Sequence, residues 1–164
     1  MAVEILAGRL LLWATAFGAA AALGLPASTP AIGGAGALLT GLAAGAALFV
    51  ALAGRPRRPR GRPWATLVRT GWLTAAAAFE ELVWRGVVLA ALLPRLGIAA
   101  ALAVTSGAFA LSHRHQGRGA AIHLATGAMF GATFVYAGLA AAICAHAAYN
   151  LLVDLGVRAE RERR

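Results

Sequence analysis

Acidic residues are scarce in this chain. There are six among 164, against fifteen basic residues, all of them arginine. Lysine is absent, cysteine occurs once, and charged residues make up 13%. A soluble domain carries about 25% charged and 45–50% apolar residues. Here the apolar share is 60% and the mean hydropathy is +0.74, which points to an integral membrane protein rather than a soluble one. The single cysteine, Cys144, lies inside an apolar run, so neither a disulfide framework nor a cysteine-based metal site is available. It reads as a small buried side chain. The net charge of +9 would suit a polyanion. However, the arginines fall between apolar runs and form no base-reading motif, so no nucleic-acid partner is expected. Arginine without lysine, beside heavy Ala, Gly, Leu and Val usage, reads as GC-rich coding bias rather than chemistry.

What the chain does have is a succession of apolar runs about 20 residues long, each able to cross a hydrocarbon core of ~30 Å as a helix. They lie at about 5–25, 32–53, 68–92, 97–113, 119–136 and 138–156. The expected fold class is therefore all-α, a polytopic transmembrane helix bundle of about six spans. Pro26, Pro30, Pro94, Gly97, Gly117, Gly119 and Gly138 punctuate the runs. The first run resembles a secretory signal, with Arg9 ahead of Leu10–Leu25. Its acidic Glu4 and its length, beyond an h-region of about 7–15 residues, favour a retained helix.

The segment Arg55–Pro63 is an arginine–proline loop. Cytoplasmic loops carry the Lys/Arg excess, so this loop and both termini are expected inside, with only Arg95 outside. Trp64 and Trp72 flank the start of the third span, where interfacial aromatics gather. Gly41/Gly45 and Gly127/Gly131 allow close helix approach, within the chain first. The expected organisation is two helices and the basic loop over 1–63, a helical core over 64–157, and a basic cytoplasmic tail over 158–164.

Two of the six acids, Glu80 and Glu81, stand side by side within the apolar stretch Thr70–Leu93; Glu4, Asp154, Glu160 and Glu162 lie near the ends. A charge in hydrocarbon costs about 2.5–3.5 kcal/mol on insertion scales, so such residues are usually kept for a use. On a helix Glu81 and Arg85 share a face and can pair. Glu80 is turned by about 100° from Glu81, which leaves it without a local cation and makes it a candidate general base. His113 ends the fourth run, and His146 lies in the sixth, four before Asn150. A carboxylate, two imidazoles and an amide from three helices suit water-driven amide hydrolysis.

The nearest rival is a zinc ion at Glu80, His113 and His146 with an open position for water. The lack of an H-E-x-x-H helix argues against it. His115 is expected in a solvated loop and His123 in a structural role near the site. Asp154 is expected to make a helix-end pair with Arg158, and Phe109 to serve in packing. Glu80 falls near mid-span and His113 at a helix end. They meet only if helices tilt, the fourth extends past His113, or the third begins later.

Glu80-Glu81-Leu-Val-Trp-Arg85, Phe109-Ala-Leu-Ser-His113 and His146-Ala-Ala-Tyr-Asn150, in that order, resemble the EExxxR, FxxxH and HxxxN signatures of the CPBP family. These are the CAAX prenyl protease and bacteriocin-processing enzymes, glutamic-type intramembrane endopeptidases. The likeness covers about residues 64–157. It implies that Glu80 with His113 activates water and that His146 with Asn150 stabilises the oxyanion. Glu81 and Arg85 would hold the site together, and no cofactor is implied. The implied substrate is a membrane-associated or lipid-anchored protein or peptide, met in the bilayer. Relatives of this kind also process peptides, act in self-immunity or remove C-terminal sorting tails. The alternative is a non-catalytic immunity or partner-binding protein of the same fold, which the retention of both Glu80 and His146 disfavours.

Overall fold

The computed structural model describes residues 34–54, 63–114 and 119–161. All regular structure among them is helical: α1 (Ala35–Ala53), α2 (Pro63–Glu81), a π-helical segment (Leu82–Leu89), α3 (Ala90–Ser112) and α4 (Ala120–Arg161). The apolar run over 5–25, most of the arginine loop, His115 and the last residues lie outside the described residues. So do the side chains of Trp64 and Arg158. Three helical stretches are long and apolar enough to cross a membrane: Ala35–Ala53, Leu67–Ser112 and Ala120–Val157.

The two longer stretches each double back at one glycine. Gly97 has φ 73° and ψ 170°, and Gly138 has φ 87° and ψ 176°. An L side chain at such a φ is disfavoured by about 1–2 kcal/mol, so glycine is the residue that lets the chain reverse there. Residues equally distant from each turn then face one another. Glu80 lies about 17 residues before Gly97 and His113 about 16 after it, so both sit ~25 Å from the turn at 1.5 Å per residue. Arg85 and Phe109 match in the same way about Gly97, as do Phe130 and His146 about Gly138. This matched depth brings Glu80 to His113, and the described helix of the third run starts early, at Pro63, not late.

α1 lies along the second limb of α4. A Cβ on Gly41 would collide with the carbonyl oxygen of Ala141, and one on Gly45 with that of Ala145. The Gly41/Gly45 pair thus serves a contact within the chain, where two backbones approach directly. Leu48, Phe49, Phe130, Ala145 and Tyr149 close the core around that contact. A second cluster of Leu89, Ala90, Ala101, Phe134, Leu139 and Ala142 fills the end nearest the two glycine turns. Large apolar side chains such as Leu39, Val104, Leu111 and Tyr136 face outward. The charged Glu81 and Arg85 are buried. This inverts the soluble pattern and suits a lipid surround.

Candidate active site

Glu80 and Glu81 end α2, and the winding widens immediately after them. The Ala90 N–H is shared by the carbonyls of Arg85, five residues back, and Val87, three back. The five-residue bond defines a π turn, a geometry often found beside functional sites. Arg85 lies within this segment and is 2% exposed; Glu81 is 0% exposed. The Arg85 Nη1 lies 3.1 Å from Glu81 Oε1, and Nη2 donates to the Gly127 carbonyl at 3.0 Å. The rings of Phe109 and Phe130 stand 4.9 Å and 5.7 Å from the guanidinium carbon, within cation–π range. Gly127 must be small: a Cβ there would lie 3.1 Å from the Ser106 Cα and 3.3 Å from Phe109 Cδ1.

Glu81 Oε1 also accepts a hydrogen bond from His146 Nδ1 at 2.7 Å. With the carboxylate oxygen accepting, Nδ1 is the donor, and Nε2 faces Glu80. That Nε2 lies 3.9 Å from Glu80 Oε2. His113 is fixed in the same sense. Its Nδ1 is 2.9 Å from the Phe109 carbonyl, which can only accept, and its Nε2 is 3.3 Å from the same Glu80 oxygen. Ser112 Oγ donates to the Phe109 carbonyl at 2.8 Å and lies 2.9 Å from His113 Nδ1. Two imidazole Nε2 atoms and a carboxylate oxygen therefore converge, an arrangement that a shared proton or a water can bridge.

These groups line a cavity of about 380 Å³, whose walls include Glu80, His113, His123, His146 and Asn150. Phe109 packs edge-on to Trp84 and lies 4.2 Å, ring centre to ring centre, from His113. Phe130 stacks on His146 at 4.5 Å. The four expected site residues, Glu80, His113, His146 and Asn150, thus share one cavity, with Glu81 and Arg85 sealed behind it.

Two further residues take places on the cavity wall. Asp154, expected to pair with Arg158, whose side chain lies outside the described residues, pairs with Arg69, whose Nε and Nη2 both lie 2.6 Å from Asp154 Oδ1. The antiparallel course of α2 and α4 brings them together across 85 positions of sequence. His123 is buried on the cavity wall, its ring stacked on that of His113 at 5.2 Å. The bond from His146 to Glu81 has no local sequence signal. Counting residues outward from Gly97 and Gly138 would have suggested the partners on facing limbs.

A family model described as Rce1-like, "Type II CAAX prenyl endopeptidase Rce1-like", matches residues 62–152. The chain belongs to the Rce1-like family. The matched segment contains all six site residues, from Glu80 to Asn150, and leaves α1 outside it. This Rce1-like chain is thus an integral membrane member of a protease family. No curated protein and no solved structure matches the chain.

Proposed function

We propose that this Rce1-like protein is an intramembrane endopeptidase that hydrolyses a peptide bond of a membrane-associated or lipid-anchored protein or peptide. One observation carries the proposal: Glu80 Oε2 faces the Nε2 atoms of His113 and His146, 3.3 Å and 3.9 Å away, in a cavity also lined by Asn150. In this reading a water held by Glu80 and His113 gives up a proton to them as its oxygen attacks the scissile carbonyl carbon. His146 and the Asn150 amide stabilise the oxyanion of the tetrahedral intermediate. The intermediate collapses with cleavage of the C–N bond, and the held proton passes to the leaving amine. Glu81 and Arg85 keep His146 in its working orientation and tautomer.

The reaction is proposed to need no metal. The lack of an H-E-x-x-H helix is what favours this over zinc at Glu80, His113 and His146. The fold reading extends to six spans with both termini cytoplasmic in a bacterial membrane. A cysteine introduced at Arg57 that labels from outside intact cells would reverse that orientation.

The catalytic reading is tested by presenting candidate membrane-anchored substrates to wild type and Glu80→Ala in lipid nanodiscs and mapping products by mass spectrometry. New termini are expected with wild type only. The same products from Glu80→Ala would refute it.

A further inference from the structure

The cavity continues past the catalytic groups to a charged rim. Along α2 its wall is Glu80, Ala76, Leu73, Trp72 and Arg69, the three-and-four spacing of one helix face. Along α4 the wall runs from His146 through Asn150 and Val153 to Asp154. The contacts of Glu80 with His146 at one end and Arg69 with Asp154 at the other show that the two faces run antiparallel. Between these ends lie about 11 residues of α2 and 8 of α4, or roughly 12–16 Å of helix rise. An extended peptide at about 3.3 Å per residue spans this distance with four or five residues.

We propose that Arg69 is a carboxylate-binding subsite at the outer end of this cleft, engaging a carboxylate of the peptide whose scissile bond lies at Glu80. The inference rests on the endopeptidase reading above. Arg69 directs Nε and Nη2 at a single oxygen of Asp154, which occupies one edge of the guanidinium. Five N–H donors exceed what one oxygen can take, and the Nη1/Nη2 edge has the fork geometry that suits a second carboxylate. The exposures decide which partner meets a ligand: the Arg69 side chain is 58% exposed and that of Asp154 12%. Asp154 is the positioning residue, holding an otherwise mobile side chain over the cleft. Trp72, Leu73, Ala76 and Val153 between the two ends offer apolar contact to the intervening residues. The carboxylate can belong to the peptide's terminus or to an Asp or Glu side chain.

The test measures binding and needs no turnover, so it stands or falls separately from the catalytic reading. The full chain carrying Glu80→Gln is placed in nanodiscs. It is titrated with three fluorescent N-acylated peptides of Gly, Ala and Leu: one with a free C-terminus, its C-terminal amide, and the amide with Glu as last residue. At least one carboxylate peptide is expected to bind about tenfold more tightly than the neutral amide, and which one identifies the source. Adding Arg69→Gln should bring that ratio to about one. Adding Asp154→Asn, which removes the ion pair but keeps an oxygen that can accept from Arg69 and hold it in place, should preserve it. Equal binding of all three peptides, or a preference that survives Arg69→Gln, overturns the proposal. So does a ratio lost equally in Arg69→Gln and Asp154→Asn, which would make the pair only a clamp between helices.

Discussion

Replacing Arg85 by alanine should be the most damaging single change among the site residues for folding. The guanidinium is buried, lies 3.1 Å from the Glu81 carboxylate, donates to the Gly127 carbonyl and sits between two phenyl rings. Truncation leaves Glu81 without its cation and the carbonyl without its donor. Breaking a buried pair from one side costs about 3–5 kcal/mol. Here the cost should fall near the lower end, because His146 Nδ1 still donates to Glu81. For a chain of this size about 3 kcal/mol corresponds to roughly 6–12 °C in melting midpoint. Glu81→Gln should be milder, since the amide oxygen can still accept from His146, Arg85 keeps its bond to the Gly127 carbonyl, and Glu80 remains as a second carboxylate acting on the guanidinium. Arg85→Lys should fall between, keeping the charge but losing the fork that serves Glu81 and Gly127 together. The assay is size-exclusion yield and thermal unfolding of detergent-solubilised protein for the three variants side by side. If Arg85→Ala matches wild type in yield and midpoint, the pair is not structural and the reasoning fails.

Other outcomes follow from the same geometry. Glu80→Gln should keep wild-type yield and melting while turnover falls by about 10²–10⁴, the range for a lost general base; substantial turnover would remove Glu80 from the chemistry. Asn150→Ala should lower turnover by about 10²–10³ with little change in KM, and a pure KM effect would make Asn150 a binding group instead. Gly45→Ala should destabilise the protein by about 1–3 kcal/mol, because the new methyl meets the Ala145 carbonyl; unchanged melting would mean that α1 can move aside freely. Activity should survive dialysis against a strong chelator. Loss on chelation and recovery with zinc would assign Glu80, His113 and His146 to a metal.

The helical class and the local pairings of the candidate site were legible because both depend on local spacing. An apolar run long enough to span reads directly from composition, and Glu81 with Arg85, or His146 with Asn150, reads from the helical period. Long-range pairing was harder. Asp154 has an arginine four residues away, and nothing local points to Arg69, on another helix. His146 could be placed in the site, yet its bond to Glu81 depends on the fold-back at Gly138. The π segment over Leu82–Leu89 was invisible to a reading that assumes 3.6 residues per turn. Gly97 and Gly138 were recognised as breaks. Their use as counting origins, which match Glu80 with His113 and Phe130 with His146, requires knowing that each break is a full reversal.

The adjacency of Glu80 and Glu81 has a consequence for proton accounting in the proposed reaction. One imidazole, that of His146, faces both members of the doublet, bonded to Glu81 through Nδ1 at 2.7 Å and with Nε2 3.9 Å from Glu80. With Nδ1–H committed to Glu81, the ring meets the proposed oxyanion through Nε2, and it donates there only when Nε2 also carries a proton. In the proposed reaction the proton that water loses is held by Glu80 and His113 until the leaving amine takes it, so a proton on His146 Nε2 is a separate one. Two carboxylates at consecutive positions would then divide two tasks, Glu81 anchoring the ring and Glu80 handling the proton of water.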